Sequence, residues 1–114
     1  MVDVRINYKE KICFIVIEGE VDASSSIYLD EALKQAFHSD ADSILVDCQE
    51  MRYISSAGLG VFMSYIQDLE ATQKKLVLFN MSEKVYKVFE ILGLHQLLTI
   101  VDSQEEAKTV LDEA

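Results

Sequence analysis

Hydrophobic and polar residues alternate along the first part of this 114-residue chain. Val2, Val4, Ile6 and Tyr8 are separated by polar residues, which predicts a half-buried edge strand. The apolar run KICFIVIEG follows after a short polar turn and predicts a more central strand, because it is hydrophobic on both faces. Together the two runs predict an N-terminal β-hairpin.

Beyond the hairpin, the pattern switches repeatedly between helical and strand-like periods. The runs SILVDC, KKLVLFN and LLTIV predict strands, whereas LGVFMSYIQDLEA and SEKVYKVFEILG have apolar residues at helical spacing. VDASSS offers capping groups for a first helix, and Ser103 with Glu106 forms a capping box for a last one. The order β-β-α-β-α-β-α-β-α predicts a single α/β domain over residues 1–114 with a mixed, mostly parallel sheet.

Composition narrows the kinds of partner. The net charge of −10 and a pI of about 4.5 argue against nucleic acid or an anionic membrane as the main partner and favour a basic protein surface. No apolar run approaches the roughly 20 residues of a membrane span, so we expect no membrane insertion. Cys13 and Cys48 lie in strand-like runs without metal or redox spacing, which predicts buried thiols in a reducing, cytoplasmic protein.

The sequence contains few residues placed where they could act in catalysis. In a parallel sheet, sites form in loops at the carboxyl ends of strands, here the segments 20–26, 53–58 and 80–82. The only histidines, His38 and His95, fall outside these loops, which disfavours a Ser-His-Asp arrangement. Metal-ligand spacing and a GxxxxGK[ST] motif are also missing from the sequence. We therefore expect no enzyme, no metal and no cofactor.

The stretch YISSAGLG, residues 53–60, joins a strand to a helix and combines two serines with two glycines. Ser56 at the helix N-cap would satisfy a free N–H group. Glycines in a helix cost roughly 0.5–1 kcal/mol relative to alanine, so Gly58 and Gly60 are interpreted as clearance for a partner. On this interpretation, Gly58→Arg abolishes partner binding with little loss of folding. An exposed hydroxyl at a helix N-terminus, where phosphate is favoured, is typical of a phosphoacceptor, with plain capping as the alternative.

The segments EGEVDASSS, YISSAGLGVF and FEILGLHQLLTIVDSQEEA resemble, in order and spacing, the STAS domain, named for sulfate transporters and anti-sigma factor antagonists. Small acidic chains of this type resemble the bacterial anti-anti-sigma factors. The resemblance implies that the unphosphorylated protein binds an anti-sigma factor, which is also a serine kinase, and thereby frees a sigma factor. Phosphorylation of one serine would break the complex, and a PP2C-type phosphatase would restore it.

Carried over by position, the resemblance implies Ser56 as the phosphoacceptor and Asp22 as the loop aspartate beside it. Many relatives have aspartate where this chain has Ser55, so Ser55 is the alternative acceptor. Two other functions within the family stay open, a scaffold subunit that is not phosphorylated and a nucleotide-binding module. The implied partner-binding residues are Asp22, Ser24, Ser55, Ser56, Gly58, Leu59 and Gly60.

Overall fold

The computed structural model describes residues 1–112. The strands are β1 (Val2–Lys9), β2 (Ile12–Val21), β3 (Ser43–Ile54), β4 (Lys75–Phe79) and β5 (Thr99–Ile100). The helices are α1 (Ser26–His38), α2 (Ser56–Ser64), α3 (Ile66–Thr72), α4 (Glu83–Ile91) and α5 (Gln104–Asp112), with a 3₁₀ turn at Leu94–Gln96 before β5.

The five strands form one sheet in the order β1-β2-β3-β4-β5. β1 is antiparallel to β2, and every other neighbouring pair is parallel. This confirms the predicted hairpin and the mixed, mostly parallel α/β fold. Because β2 to β4 run in the same direction, their carboxyl ends point toward one edge of the molecule.

Helices cover both faces of the sheet. The larger core lies under α1, α2 and α4, where Leu29, Leu33, Phe62 and Phe89 are fully buried against the sheet. A smaller core on the opposite face holds Leu45, Val77, Phe79 and Ala107, the last contributed by α5. Cys13 and Cys48 are buried and unpaired, as predicted, and burial raises the pKa of both thiols. None of the helices within residues 1–112 has the length and apolar character needed to cross a membrane.

The helix predicted from LGVFMSYIQDLEA is divided in two at Tyr65, which separates α2 from α3. The Tyr65 ring stacks on Phe37 with centroids 5.1 Å apart, and its hydroxyl donates to Asp30 Oδ1 at 2.8 Å. These contacts with α1 hold Tyr65 outside helical geometry, at φ −100° and ψ 1°. Met63, one of the apolar residues of that predicted helix, is 49% exposed.

Two strands also differ in length from the prediction. β3 is longer than SILVDC and continues to Ile54, because the ten residues of β2 provide a pairing partner along that whole length. β5 is reduced to two residues, since the segment before it forms the 3₁₀ turn and buries Leu98 and Leu94 instead.

Candidate functional site

The ends of β2 and β3 lie side by side at the carboxyl edge of the sheet. Val21 pairs with Ile54, and the N–H group of Ser55 donates to the carbonyl oxygen of Val21 at 2.8 Å. The loops that leave these two strands are therefore neighbours, as expected for segments 20–26 and 53–58. α1 and α2 both begin at this edge and pack against each other.

The third predicted loop does not join them. β4 ends at Phe79, which pairs with Asp47, whereas β3 continues from Asp47 to Ile54. The 80–82 loop is therefore set back along β3, where the Asn80 amide lies 3.4 Å from the Asp47 carboxylate. Ser82 caps α4 by accepting from Val85 N–H at 3.2 Å. This loop has a structural role at the start of α4.

The two adjacent serines at the start of α2 occupy different positions. Ser55 has extended backbone, at φ −87° and ψ 173°, and its Oγ accepts a hydrogen bond from Gly58 N–H at 3.3 Å. Ser55 is thus the N-cap, and the assignment of the cap to Ser56 is wrong. The reason is geometric: a cap must keep the extended backbone of the preceding strand so that its side chain reaches the N–H three residues later.

Ser56 is the first helical residue of α2 and is exposed. Within residues 1–112 its hydroxyl has no hydrogen-bond partner. The first N–H groups of a helix have no partner inside the helix, and the capping oxygen of Ser55 satisfies only that of Gly58. The hydroxyl of Ser56 therefore projects into solvent at the positive end of the α2 dipole, where an anion is stabilised.

The two glycines of α2 have opposite surroundings. A Cβ built on Gly58 would lie 2.7 Å from Ile54 Cγ1 and 2.8 Å from Val21 Cγ1, whereas at Gly60 it would meet no atom within 4 Å. The interpretation of Gly58 as clearance for a partner, and the expectation that Gly58→Arg folds normally, are therefore wrong. Gly58 is buried so that α2 can lie close to the ends of β2 and β3. Leu59 is also core, at 1% exposure, and contributes nothing to an exposed face.

Asp22 organises the loop between β2 and α1. Its Oδ1 atom lies within 2.9–3.1 Å of four donors, the backbone N–H and hydroxyl groups of Ser24 and Ser25. These hydrogen bonds hold the pKa of the Asp22 carboxyl below its ordinary value. Asp22 therefore stays charged near neutral pH and shapes the loop, and in the described residues no cation pairs with it.

The sequence did not single out Ser25, although it is the most buried hydroxyl of this loop, at 7% exposure. Its Oγ accepts from Asp22 N–H at 2.9 Å and lies 3.1 Å from the carbonyl oxygen of Glu20. VDASSS contains three consecutive serines with the same local capping chemistry. Only the position of the end of β2 decides which of them is buried, so no local signal could have identified Ser25.

Exposed apolar side chains surround these loops, a second feature that the sequence did not single out. Ile27 and Tyr28 of α1 are 55% and 56% exposed, Tyr53 before α2 is 47% exposed, and Met63 of α2 is 49% exposed. Ser56, Gly60 and Met63 lie at helical spacing along the outer side of α2. The carboxyl-edge surface, which we define as Asp22–Tyr28, Tyr53, Ser56, Gly60 and Met63, thus combines apolar side chains, hydroxyls and one carboxylate.

Comparison with known proteins agrees with this architecture. The family model for the STAS domain matches residues 3–107. A relative from Listeria monocytogenes, named an anti-sigma-B factor antagonist, is 34% identical over 92 residues, which cover 81% of each chain.

Solved structures show the same fold at lower identity. An anti-sigma factor antagonist from Mycobacterium paratuberculosis superposes with a TM-score of 0.89 at 12% identity, over 99% of this chain and 96% of that one. The Bacillus cell fate determinant SpoIIAA in its phosphorylated form superposes with a TM-score of 0.71 at 22% identity, over 96% of this chain and 99% of that one. The chain described here belongs to the STAS domain family.

Proposed function

We propose that this chain is a bacterial anti-sigma factor antagonist that is switched by phosphorylation of Ser56. In this proposal the unphosphorylated protein binds an anti-sigma factor with serine kinase activity through the carboxyl-edge surface and so releases a sigma factor. The kinase phosphorylates Ser56, the complex dissociates, and a PP2C-type phosphatase removes the phosphate. The proposal places the protein in the cytoplasm, where sigma factors act.

The observation that carries the proposal is the difference between the two adjacent serines. Ser55 is half-buried and its hydroxyl oxygen caps α2, whereas the hydroxyl of Ser56 is exposed and has no partner within the described residues. A kinase needs a hydroxyl that can enter its active site without breaking the substrate's own structure. Ser56 meets this requirement and Ser55 does not.

The comparisons with known proteins support the same proposal. The Listeria relative is named as an antagonist of an anti-sigma factor, and SpoIIAA is known in a phosphorylated form. A protein with this fold therefore carries phosphate and retains the fold, which fits an acceptor serine outside the core.

The surface chemistry indicates how binding is lost. Exposed apolar side chains of the carboxyl-edge surface provide area that a partner can bury. A phosphate at Ser56 adds about −1.5 to −2 charge and three acceptor oxygens in the middle of that surface. Burying this charge without a matching cation costs several kcal/mol, which is enough to dissociate a complex.

Phosphopeptide mapping tests the acceptor. The purified chain is incubated with ATP and the anti-sigma kinase of its host, and we expect phosphate on Ser56 only. Ser56→Ala should abolish labelling, and the matched variant Ser55→Ala should retain it. ATP without the kinase should give no label. Phosphate on Ser55, or on Ser24, Ser26 or Ser103, would refute the assignment.

Binding measurements test the switch. We expect Ser56→Ala to bind the anti-sigma kinase whether or not ATP is present, and wild-type protein phosphorylated by the kinase to lose binding. If unphosphorylated and phosphorylated proteins bound equally well, the chain would act as a scaffold subunit and the switch would be wrong.

A further inference from the structure

β1 forms one edge of the sheet, and its outer side has no pairing strand within residues 1–112. It is eight residues long and contains no proline. The opposite edge is β5, which has only two residues. An unpaired strand of this length presents a row of N–H and C=O groups that can pair with another strand.

The hairpin fixes which backbone groups of β1 face outward. Glu20 N–H donates to Met1 O at 3.1 Å, and at the other end a two-residue turn closes on the Lys9–Ile12 pair. Hydrogen-bonded pairs alternate along an antiparallel ladder, so Met1 and the odd-numbered residues of β1 bond to β2. The N–H and C=O groups of Val2, Val4, Ile6 and Tyr8 therefore point away from the sheet.

The side chains of β1 divide between two faces. Val2, Val4 and Ile6 face α1 and line a groove of about 370 Å³, whose other side is formed by Tyr28, Glu31, Ala32 and Gln35.

Asp3 and Arg5 lie on the opposite face, are exposed, and form an ion pair at 3.8 Å. β1 thus has an apolar face and a face with one charge of each sign at its centre.

We infer that β1 pairs antiparallel with β1 of a second copy of this chain, about a two-fold axis through Val4. In this register Val4 lies opposite Val4 of the second copy and Val2 lies opposite Ile6, which places apolar side chains together at the two grooves. Asp3 lies opposite Arg5 of the second copy, and Arg5 opposite Asp3. These charged residues occupy non-hydrogen-bonded positions, where Cα atoms of opposite residues are only about 4.5 Å apart.

The charges of Asp3 and Arg5 favour this register over the two registers obtained by moving the axis along β1. Shifting the axis by one residue, to Arg5, places the two Arg5 side chains opposite each other, and like charges at opposite positions are destabilising. Shifting it to Ile6 places Asp3 opposite Lys9 and leaves Arg5 opposite the neutral Asn7. With the axis at Val4, each carboxylate lies between two guanidinium groups, the one from its own strand and the one from the second copy.

The dimer leaves the carboxyl-edge surface accessible in both copies except at Tyr28, which also lines the groove beside β1. An antiparallel two-fold turns the second sheet end for end, so the two carboxyl edges lie at opposite ends of one continuous sheet. The inference does not depend on the proposed function, because β1 contributes no residue to the carboxyl-edge surface.

Charge reversal tests the pairing. Sedimentation velocity over a wide concentration range should show wild-type dimers. Asp3→Arg places the introduced guanidinium opposite Arg5 of the second copy, and Arg5→Asp places the introduced carboxylate opposite Asp3. Each variant alone should therefore dimerise at least about tenfold more weakly. Net charge alone would instead strengthen the Asp3→Arg dimer, because that variant is less negative.

Two combinations make the test specific for this register. Mixing the two single variants in equal amounts should restore dimers, because every opposite pair in the heterodimer is then attractive. The double variant Asp3→Arg, Arg5→Asp should dimerise like the wild type. If the axis were at Ile6, the guanidinium introduced by Asp3→Arg would face Lys9 and the double variant would stay monomeric. A failure of the mixture or of the double variant would overturn the proposed register.

A backbone variant tests the pairing independently of charge. The N–H group of Val4 points outward, so Val4→Pro breaks no hydrogen bond to β2 and should prevent dimerisation. Its melting temperature should fall only through the lost packing of the half-buried Val4 side chain, and by less than that of a variant that also breaks a hydrogen bond to β2. Arg5→Pro is the matched control, since it removes a hydrogen bond to β2 and should lower the melting temperature. Hydrogen exchange should show protection of the Val4 and Ile6 amides that increases with concentration. A wild-type chain that stays monomeric at every concentration, or a Val4→Pro variant that dimerises normally, would refute the inference.

Discussion

Gly58 and Gly60 lie two positions apart in α2, yet an added methyl group meets core side chains at one and solvent at the other. We expect Gly58→Ala to destabilise the protein, because overpacking against Ile54 and Val21 costs about 1–3 kcal/mol and outweighs the gain in helix propensity of at most about 1 kcal/mol. Gly60→Ala has no such contact and should stabilise it by about 0.4–1 kcal/mol.

Urea denaturation of both variants measures this difference directly. The midpoints should move in opposite directions from the wild type. Equal midpoints for the two variants would show that the close approach of α2 to the ends of β2 and β3 does not constrain Gly58.

At the scale of the element, one side chain fixes where α2 begins. The Ser55 hydroxyl satisfies the N–H group of Gly58 at 3.3 Å, and loss of such a cap costs about 1 kcal/mol. We therefore expect Ser55→Ala to lower the free energy of unfolding by about that amount. Ser56→Ala, at an exposed position without a partner, should change it by less than about 0.5 kcal/mol. Chemical denaturation measures the free energy of unfolding of both variants. A larger loss for Ser56→Ala than for Ser55→Ala would indicate that Ser56 is the cap.

The elements also show where sequence patterns are sufficient. The hairpin, the order of strands and helices, and the cap Ser103 follow from local periodicity and hydrogen-bonding chemistry, and the structure contains them. The division of α2 from α3 does not follow, because it depends on the contacts of Tyr65 with Phe37 and Asp30 of α1. No glycine or proline marks that position in the sequence.

The candidate site likewise follows only in part from local sequence patterns. The two serines of YISSAGLG were identified from their residue types and their place after a predicted strand, and Asp22 was identified through the family resemblance. Which serine caps, and why Gly58 is a glycine, depend on the backbone of Ser55 and on the approach of Ile54 and Val21. These are distances between elements, and a periodic pattern contains no information about them.

At the scale of the whole molecule, the question is whether the proposed phosphorylation of Ser56 would act by changing the fold or by changing the surface. The exposed position of Ser56 favours an effect on the surface. Ser56 is exposed at the start of α2, and a helix N-terminus stabilises an anion by about 0.3–1 kcal/mol. The nearby carboxylate of Asp22, kept charged by its four hydrogen bonds, opposes this gain. The two contributions are small and of opposite sign, so the isolated domain should lose little stability.

We therefore expect the protein phosphorylated at Ser56 to unfold within about 1 kcal/mol of the unphosphorylated protein, because a charge at an exposed helix N-terminus contributes no more than about that amount. Its affinity for the anti-sigma kinase should fall by about 100-fold or more, since the partner must then bury an unpaired charge. Ser56→Asp is a partial mimic, with a single charge and a shorter side chain, and should bind with intermediate affinity. Backbone amide spectra of the phosphorylated domain alone should change only near the start of α2 and the Asp22 loop. Changes that extend into β1 or α4 would instead indicate a switch transmitted through the fold.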